Sequence, residues 1–437
     1  MTDRKSIQVI TLGCSKNTVD TEHLLYYASQ SLDVIPEEAS DVPWVDYLLL
    51  NTCAFIADAK QESVDAVLAA ARRKSEGHVG RLMVFGCLSQ RYSSELPELI
   101  PEVDAWFGAR DLAPVLRSVG ITPPAALTGR LRTGGGPGTA FLKISEGCDR
   151  RCSYCAIPYI RGAHRSVPVE TLCDEARQLA ASGVKELVLI AQDTTYYGLD
   201  LYGRRALGEL LGRLSEIEGI EWLRIHYSYP SDFPEDVLVQ MASNPKVLPY
   251  LDIPLQHISD RVLANMRRGA DSRTTRDLIR RLRSQVPGVV LRTTMIVGHP
   301  GEGEAEFAEL LDFVREARFE RLGAFTYSEE EGTYGARHFK DEVPVEVKQA
   351  RLSALMELQQ GISEGFNLSR LGTVERVLVD YVADGYLVCR SRYESPEVDG
   401  EILVSPAPGV DTAALPGSFI DVRISGADAY DLTAQML

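Results

Sequence analysis

No stretch of this 437-residue chain approaches the roughly 20 unbroken apolar residues that a membrane-spanning helix requires. The opening Met-Thr-Asp-Arg-Lys-Ser runs straight into a strand-like Ile7–Leu12 and shows no signal-peptide pattern. Both absences lead us to expect a cytoplasmic protein without a membrane partner. Positive charge is scarce too: 46 Lys and Arg face 62 Asp and Glu, a formal net charge of −16. That excludes broad, non-specific nucleic-acid binding, although not a local basic groove. An acidic chain is instead suited to a basic partner. Internal repeats and low-complexity tracts are missing. Eight cysteines in so long a chain point to metal binding or catalysis rather than to a disulfide framework.

What is present is the composition of a globular protein, 45% hydrophobic and 25% charged. The length implies more than one domain. Residues 1–120 alternate short apolar runs (Ile7–Leu12, Tyr47–Leu50, Leu82–Phe85) with helical patterns such as Ala59–Arg73. This predicts an α/β domain with a parallel sheet. Residues 121–138, rich in Pro and Gly, have no period and are expected to be a linker. Six further βα units follow within residues 139–367, from Ala140–Ser145 to Leu322–Tyr327, and fit a partial (β/α)6 barrel. A helix over roughly Val345–Phe366 then leads to residues 368–437. Short strands there, separated by Asp-Gly and Pro-Gly turns, predict a small β-barrel.

Cys148, Cys152 and Cys155 have the spacing C-x3-C-x2-C directly after the first barrel strand. Active sites of βα barrels gather at that end of the strands. Three thiolates can hold three irons of a four-iron cluster and leave the fourth open, whereas all-cysteine cages use four. A zinc knuckle completed by a distant ligand is the alternative. Zinc sites favour paired C-x2–4-C motifs, and no second pair exists.

Cys14, Cys53 and Cys87 are far apart in sequence, yet each lies just beyond a predicted strand (VITLGC, LLLNTC, LMVFGC). Parallel strands end on one edge of a sheet, so these thiols can meet at one point. Gly13 and Gly86 would let the backbone approach a bulky inorganic group. A second cluster is the preferred reading. Zinc, or three unrelated buried cysteines, remain alternatives. Cys173 and Cys389 lack partners at ligand spacing.

The C-x3-C-x2-C loop resembles the radical S-adenosylmethionine superfamily. Two cysteine trios in this order, followed by a small β-barrel, resemble the methylthiotransferase family over essentially the whole chain. The resemblance implies an N-terminal cluster-bearing domain, a radical S-adenosylmethionine core and a C-terminal TRAM domain. It implies two [4Fe–4S] clusters and two uses of S-adenosylmethionine: one molecule methylates sulfur associated with the auxiliary cluster, and another generates a 5′-deoxyadenosyl radical. It places Tyr154 near the adenine and makes Gln192 a candidate contact to polar groups of the cofactor, with Arg292, Thr294 and Gly298 behind it. An electron donor such as flavodoxin or ferredoxin is implied as well.

The segments LGCSKNTVDTEHL, NTCAFIADAKQES, CSYCAIPYIRGAHRS and LIAQDTTYYG resemble the branch that modifies an aspartate β-carbon of ribosomal protein S12. The other branch acts on tRNA adenosine, and a non-catalytic, metal-binding protein associated with ribosomes is a further alternative. Residues 369–437 carry five Arg, no Lys and eleven Asp or Glu. Such a barrel would repel tRNA and attract a basic ribosomal protein. No pattern marks a general acid or base.

Overall fold

The apolar runs near the N-terminus form the centre of a five-stranded sheet: β1 (Ser6–Thr11), β2 (Asp33–Ile35), β3 (Val45–Thr52), β4 (Val79–Gly86) and β5 (Ala105–Trp106). The strands are parallel, in the order β2-β1-β3-β4-β5. Alternate residues of β3 point to opposite faces. Leu48 and Leu50 pack with Val67 and Ala70 of the helix Ala57–Ser75, while Tyr47 and Leu49 pack with Leu24 and Leu25 of the helix Ser15–Ala28. Both faces are covered, which is why the strand reads as an unbroken apolar run.

In this computed structural model, residues 4–39, 42–134 and 136–437 are described. Met1–Asp3 and Gly135 of the expected linker lie outside them. Residues 121–134 contain no helix or strand, as their composition predicts, but they are not a loose tether. The Arg130 guanidinium binds the carboxylates of Glu22 and Glu175. The amides of Thr133 and Gly134 donate to Glu22, and the Gly129 carbonyl meets His23 Nδ1. The segment is strapped down by polar contacts that aperiodic sequence does not advertise.

β6 (Thr139–Lys143) begins a second parallel sheet, and β7 (Ser145–Glu146) pairs antiparallel with β8 (Arg165–Ser166). β9 (Glu186–Ile190), β10 (Trp222–Ile225), β11 (Val247–Asp252), β12 (Val290–Val297) and β13 (Arg321–Thr326) extend β6 in the order β13-β12-β11-β10-β9-β6. These are the six strands expected from the sequence, alternating with helices that include Leu207–Ser215, Ser272–Gln285 and Glu304–Ala317. After the helix Val345–Leu368 come β14 (Val374–Ala383), β15 (Tyr386–Arg390), β16 (Ile402–Ser405), β17 (Phe419–Ala427) and β18 (Leu432–Met436), which close into a barrel. β18 has no strand pattern of its own in the sequence. Its buried side chains, Leu432 and Ala434, are too few to show a period, yet it closes the barrel by pairing with both β16 and β17.

The chain gathers into two compact units. The first comprises the residues up to Gly134 together with Ser145–Arg150 and Cys155–Gln178. The second comprises the residues up to Ile144 that follow, Arg151–Tyr154 and Leu179–Leu437.

In the second unit, charged side chains join the closed barrel to the six-stranded sheet. Arg390 of β15 binds Glu186 at 2.8 Å, and Arg224 binds the same carboxylate at 2.7 Å. Arg321 binds Glu394 at 3.1 Å, and the Tyr250 hydroxyl donates to Asp399 at 2.7 Å. Burial works to raise the Glu186 carboxyl, but Arg390 and Arg224 outweigh it and hold it at about 2.

Candidate functional site

β1, β3 and β4 are adjacent, and their ends are level: Thr11 pairs with Asn51, and Thr52 with Gly86. The chain therefore leaves three neighbouring strands at one edge of the first unit's sheet, and Cys14, Cys53 and Cys87 follow at once. They stand close enough that Cys14 and Cys87 each disfavour a negative charge on Cys53. Two turns depend on glycine. Gly13 has φ +95°, and a Cβ there would lie 2.6 Å from the Cβ of Cys53; Gly86 has φ +100°, and a Cβ would lie 2.6 Å from the Thr52 carbonyl oxygen. The glycines let the strand ends close on one another, which is what draws the cysteines together.

Polar side chains hold this edge in place. Asn17 donates to the carbonyls of Leu12 and Thr52, and Asn51 donates to the Asn17 carbonyl and the Thr21 hydroxyl. The Ser63 hydroxyl accepts from the Cys53 amide and donates to its carbonyl. Cys53 and Cys87 are buried, while Cys14 is half-buried. Burial pushes the Cys53 thiol up to about 11 and raises Cys87 as well. Thiolates at such a site need a cation to offset their charge.

The protein supplies one cation itself. Arg161, 2% exposed, donates from Nε to Cys87 Sγ at 3.3 Å. Its remaining donors reach Asp20, Glu146, the Ala109 carbonyl and Asn17.

Among the described residues no three His, Cys, Asp or Glu side chains form a cage for a single metal ion. A four-iron cluster can take one thiolate on each of three irons. The donor set of this edge, all sulfur and largely dry, fits such a group.

In the second unit, the segment with Cys152 and Tyr154 follows β6 and is pinned at Ser153. The Ser153 amide donates to the Met266 carbonyl at 2.9 Å, and its carbonyl accepts from the Gly335 amide at 2.6 Å. Its hydroxyl lies 3.5 Å from His299 Nε2. Arg268, 4% exposed, donates to Cys152 Sγ at 3.5 Å and to the Tyr154 hydroxyl at 3.4 Å. A further bond to the Pro254 carbonyl and stacking over the Tyr229 ring fix the guanidinium. Pro254, Tyr229 and His299 all lie just beyond the carboxyl ends of strands, the end at which βα folds build their sites. Cys148 and Cys155 belong to the first unit, in the same unbroken stretch of chain.

Gln192 is half-buried two residues past β9. The Arg292 guanidinium binds Asp252 at 2.8 Å and lies 3.6 Å from Asp399. Gly298 is packed against the Lys348 side chain. Arg161 and Arg268 are the functional candidates that sequence reasoning missed. The one signal for Arg161 is a charge ending the apolar turn Ala-Ile-Pro-Tyr-Ile.

Three family models match the chain: the radical SAM superfamily over residues 142–314, the uncharacterized protein family UPF0004 over 6–108 and the TRAM domain over 371–437. A protein of Porphyromonas gingivalis named ribosomal protein uS12 methylthiotransferase RimO is 48% identical over 99% of both chains. Proteins of the same name from Bacteroides thetaiotaomicron and Flavobacterium johnsoniae are 47% and 46% identical, covering 99% and 98% of this chain and 99% and 97% of theirs. Among solved structures, the radical S-adenosylmethionine methyltransferase TsrM from Kitasatospora setae, with cobalamin and a [4Fe-4S] cluster bound, matches with a TM-score of 0.56. The match has 14% identity, covers 93% of this chain and 83% of that one, and speaks for the fold alone. With near-half identity from end to end, the chain belongs to the ribosomal protein uS12 methylthiotransferase family of radical S-adenosylmethionine enzymes.

Proposed function

We propose that this enzyme adds CH3–S to the β-carbon of an aspartate of ribosomal protein S12, by radical C–H activation and sulfur insertion, in the cytoplasm. The observation that carries the reading is the full-length likeness to relatives named for that activity. An iron–sulfur cluster and S-adenosylmethionine are its cofactors. The finer reading is two [4Fe–4S] clusters, one on Cys14, Cys53 and Cys87 and one on Cys148, Cys152 and Cys155, reduced by a donor such as flavodoxin or ferredoxin. When bound, these cofactors supply the hydrogen-abstracting power that side-chain acids and bases lack.

The chain's own contribution is placement. Arg268 orients Cys152 and Tyr154, with Tyr154 and Gln192 assigned to S-adenosylmethionine. The strand ends and their glycines hold the other three sulfurs in a dry setting.

The closed barrel favours a protein over an RNA substrate. Two of the five arginines of residues 369–437, Arg370 and Arg390, are buried against Glu394, Glu375, Glu186 and Asp380. They are spent on ion pairs, and with eleven acidic residues against five arginines in residues 369–437 this supports a basic protein over an RNA backbone as the partner.

The test is anaerobic incubation of reconstituted enzyme with an S12 peptide and, in parallel, with unmodified tRNA, followed by mass spectrometry. We expect one methylthio group on aspartate and none on tRNA. Modified tRNA, or tight tRNA binding with a steep salt dependence, would replace this reading with the tRNA one.

A further inference from the structure

Arg161 is a buried cation whose donors are committed in several directions within the first unit. Nε reaches Cys87 Sγ at 3.3 Å, and the terminal nitrogens reach Asp20 and Glu146, both at 3.1 Å, with Asn17 and the Ala109 carbonyl beside them. Asp20 and Asn17 lie on the helix that follows Cys14, and Glu146 lies two residues before Cys148. Neutralising two buried carboxylates would suffice to explain an arginine here. It would not explain a donor turned onto the sulfur of a cysteine at the strand edge.

A charge fixed by this many contacts cannot swing away and is little exposed to water, so, although Asp20 and Glu146 offset part of it, its Nε–H bond and the remaining field act in a fixed geometry on whatever Cys87 binds. Net charge and hydrogen bonds to the ligating sulfurs are among the factors that set the potential of an iron–sulfur group. A hydrogen bond to a thiolate draws electron density from the metal, and a nearby cation favours the added electron.

We propose that Arg161 is a positioning residue of the Cys14–Cys53–Cys87 site: it holds the Cys87 sulfur and raises the reduction potential of the iron–sulfur group bound there. This rests on the reading that the trio carries a cluster. Through Glu146 the same guanidinium also braces the start of the segment leading to Cys148.

The test uses the full chain with Cys148, Cys152 and Cys155 all changed to Ala, so that only the other trio can hold iron. Arg161→Lys and Arg161→Gln are made in that background and reconstituted anaerobically. The midpoint potential is measured by a redox titration followed by electron paramagnetic resonance. The Gln variant should be more negative by at least tenfold in the one-electron equilibrium, about 59 mV. The Lys variant, which keeps the charge and loses the Nε–H···Sγ bond, should fall in between. A potential unchanged from the parent in a folded, iron-loaded Gln variant overturns the proposal. If the Gln variant does not fold, the Lys variant decides, and its matching the parent overturns the proposal equally. A parent that takes up no iron overturns the cluster reading itself, and with it this role for Arg161; that outcome is distinct from an iron-loaded parent whose potential ignores Arg161.

Discussion

The two cysteine trios are built in opposite ways. Cys148, Cys152 and Cys155 sit within one stretch of eight residues, so their spacing alone announces a ligand set. Cys14, Cys53 and Cys87 have no common motif and are brought together only by three parallel strands with level ends. The first arrangement depends on a loop and what pins it; the second depends on a whole sheet folding in register. Both have acquired a buried arginine at one sulfur, Arg268 at Cys152 and Arg161 at Cys87. The dispersed set is therefore exposed to any change that shifts the register of those strands.

The largest effect should come from separating the trios by mutation. Cys152→Ala should abolish 5′-deoxyadenosine formation altogether. Cys53→Ala should leave that reaction running while the methylthiolated peptide disappears. Chromatography of the nucleoside and mass spectrometry of the peptide read the two outcomes. If both variants lose 5′-deoxyadenosine, the trios do not divide the work in this way.

The supports can be tested separately. Arg390→Met leaves the buried Glu186 carboxylate short of a partner and should destabilise the second unit by about 3–5 kcal/mol, seen as a lower thermal unfolding midpoint. Iron uptake at Cys14, Cys53 and Cys87 should survive it. Gly13→Ala is the converse. It forces a side chain into a left-handed backbone and against Cys53, at a cost of about 1–3 kcal/mol. Iron bound at that edge should fall while 5′-deoxyadenosine formation persists.

A smaller, pH-dependent effect belongs to the pinned loop. Burial holds the imidazole of His299 at about 4, against the ordinary 6.5. Between those values the unfolded chain binds a proton that the folded chain does not, so stability falls as pH drops from 6.5 towards 4. Going from pH 7 to pH 5 should cost about 2 kcal/mol. In His299→Gln the unfolding midpoint should lose that part of its pH dependence.

The same contrast explains what could be read in advance. Apolar runs covered on both faces, such as Tyr47–Leu50, declare a parallel strand, and six of them in succession declare the second sheet. The strand-end position of each dispersed cysteine was legible because a thiol after an apolar run is conspicuous. Arg161 and Arg268 were not, because their partners come from remote segments: Asp20, Ala109 and Glu146 for one, Pro254 and Tyr229 for the other. The partners of Arg292 were hidden for the same reason, since Asp399 reaches it from the loop between β15 and β16. The strap at residues 129–134 is a further case, held by Glu22 and Glu175, which a local pattern does not reveal.

The central claim is that two separate trios each hold an iron–sulfur cluster, and counting metal tests it most directly. Iron and zinc would be quantified in anaerobically reconstituted protein and in the two triple-alanine variants. We expect about eight irons per chain in the unaltered enzyme and about four in each variant, with no zinc. Zinc at Cys14, Cys53 and Cys87, or an unaltered enzyme with only about four irons, would contradict the account.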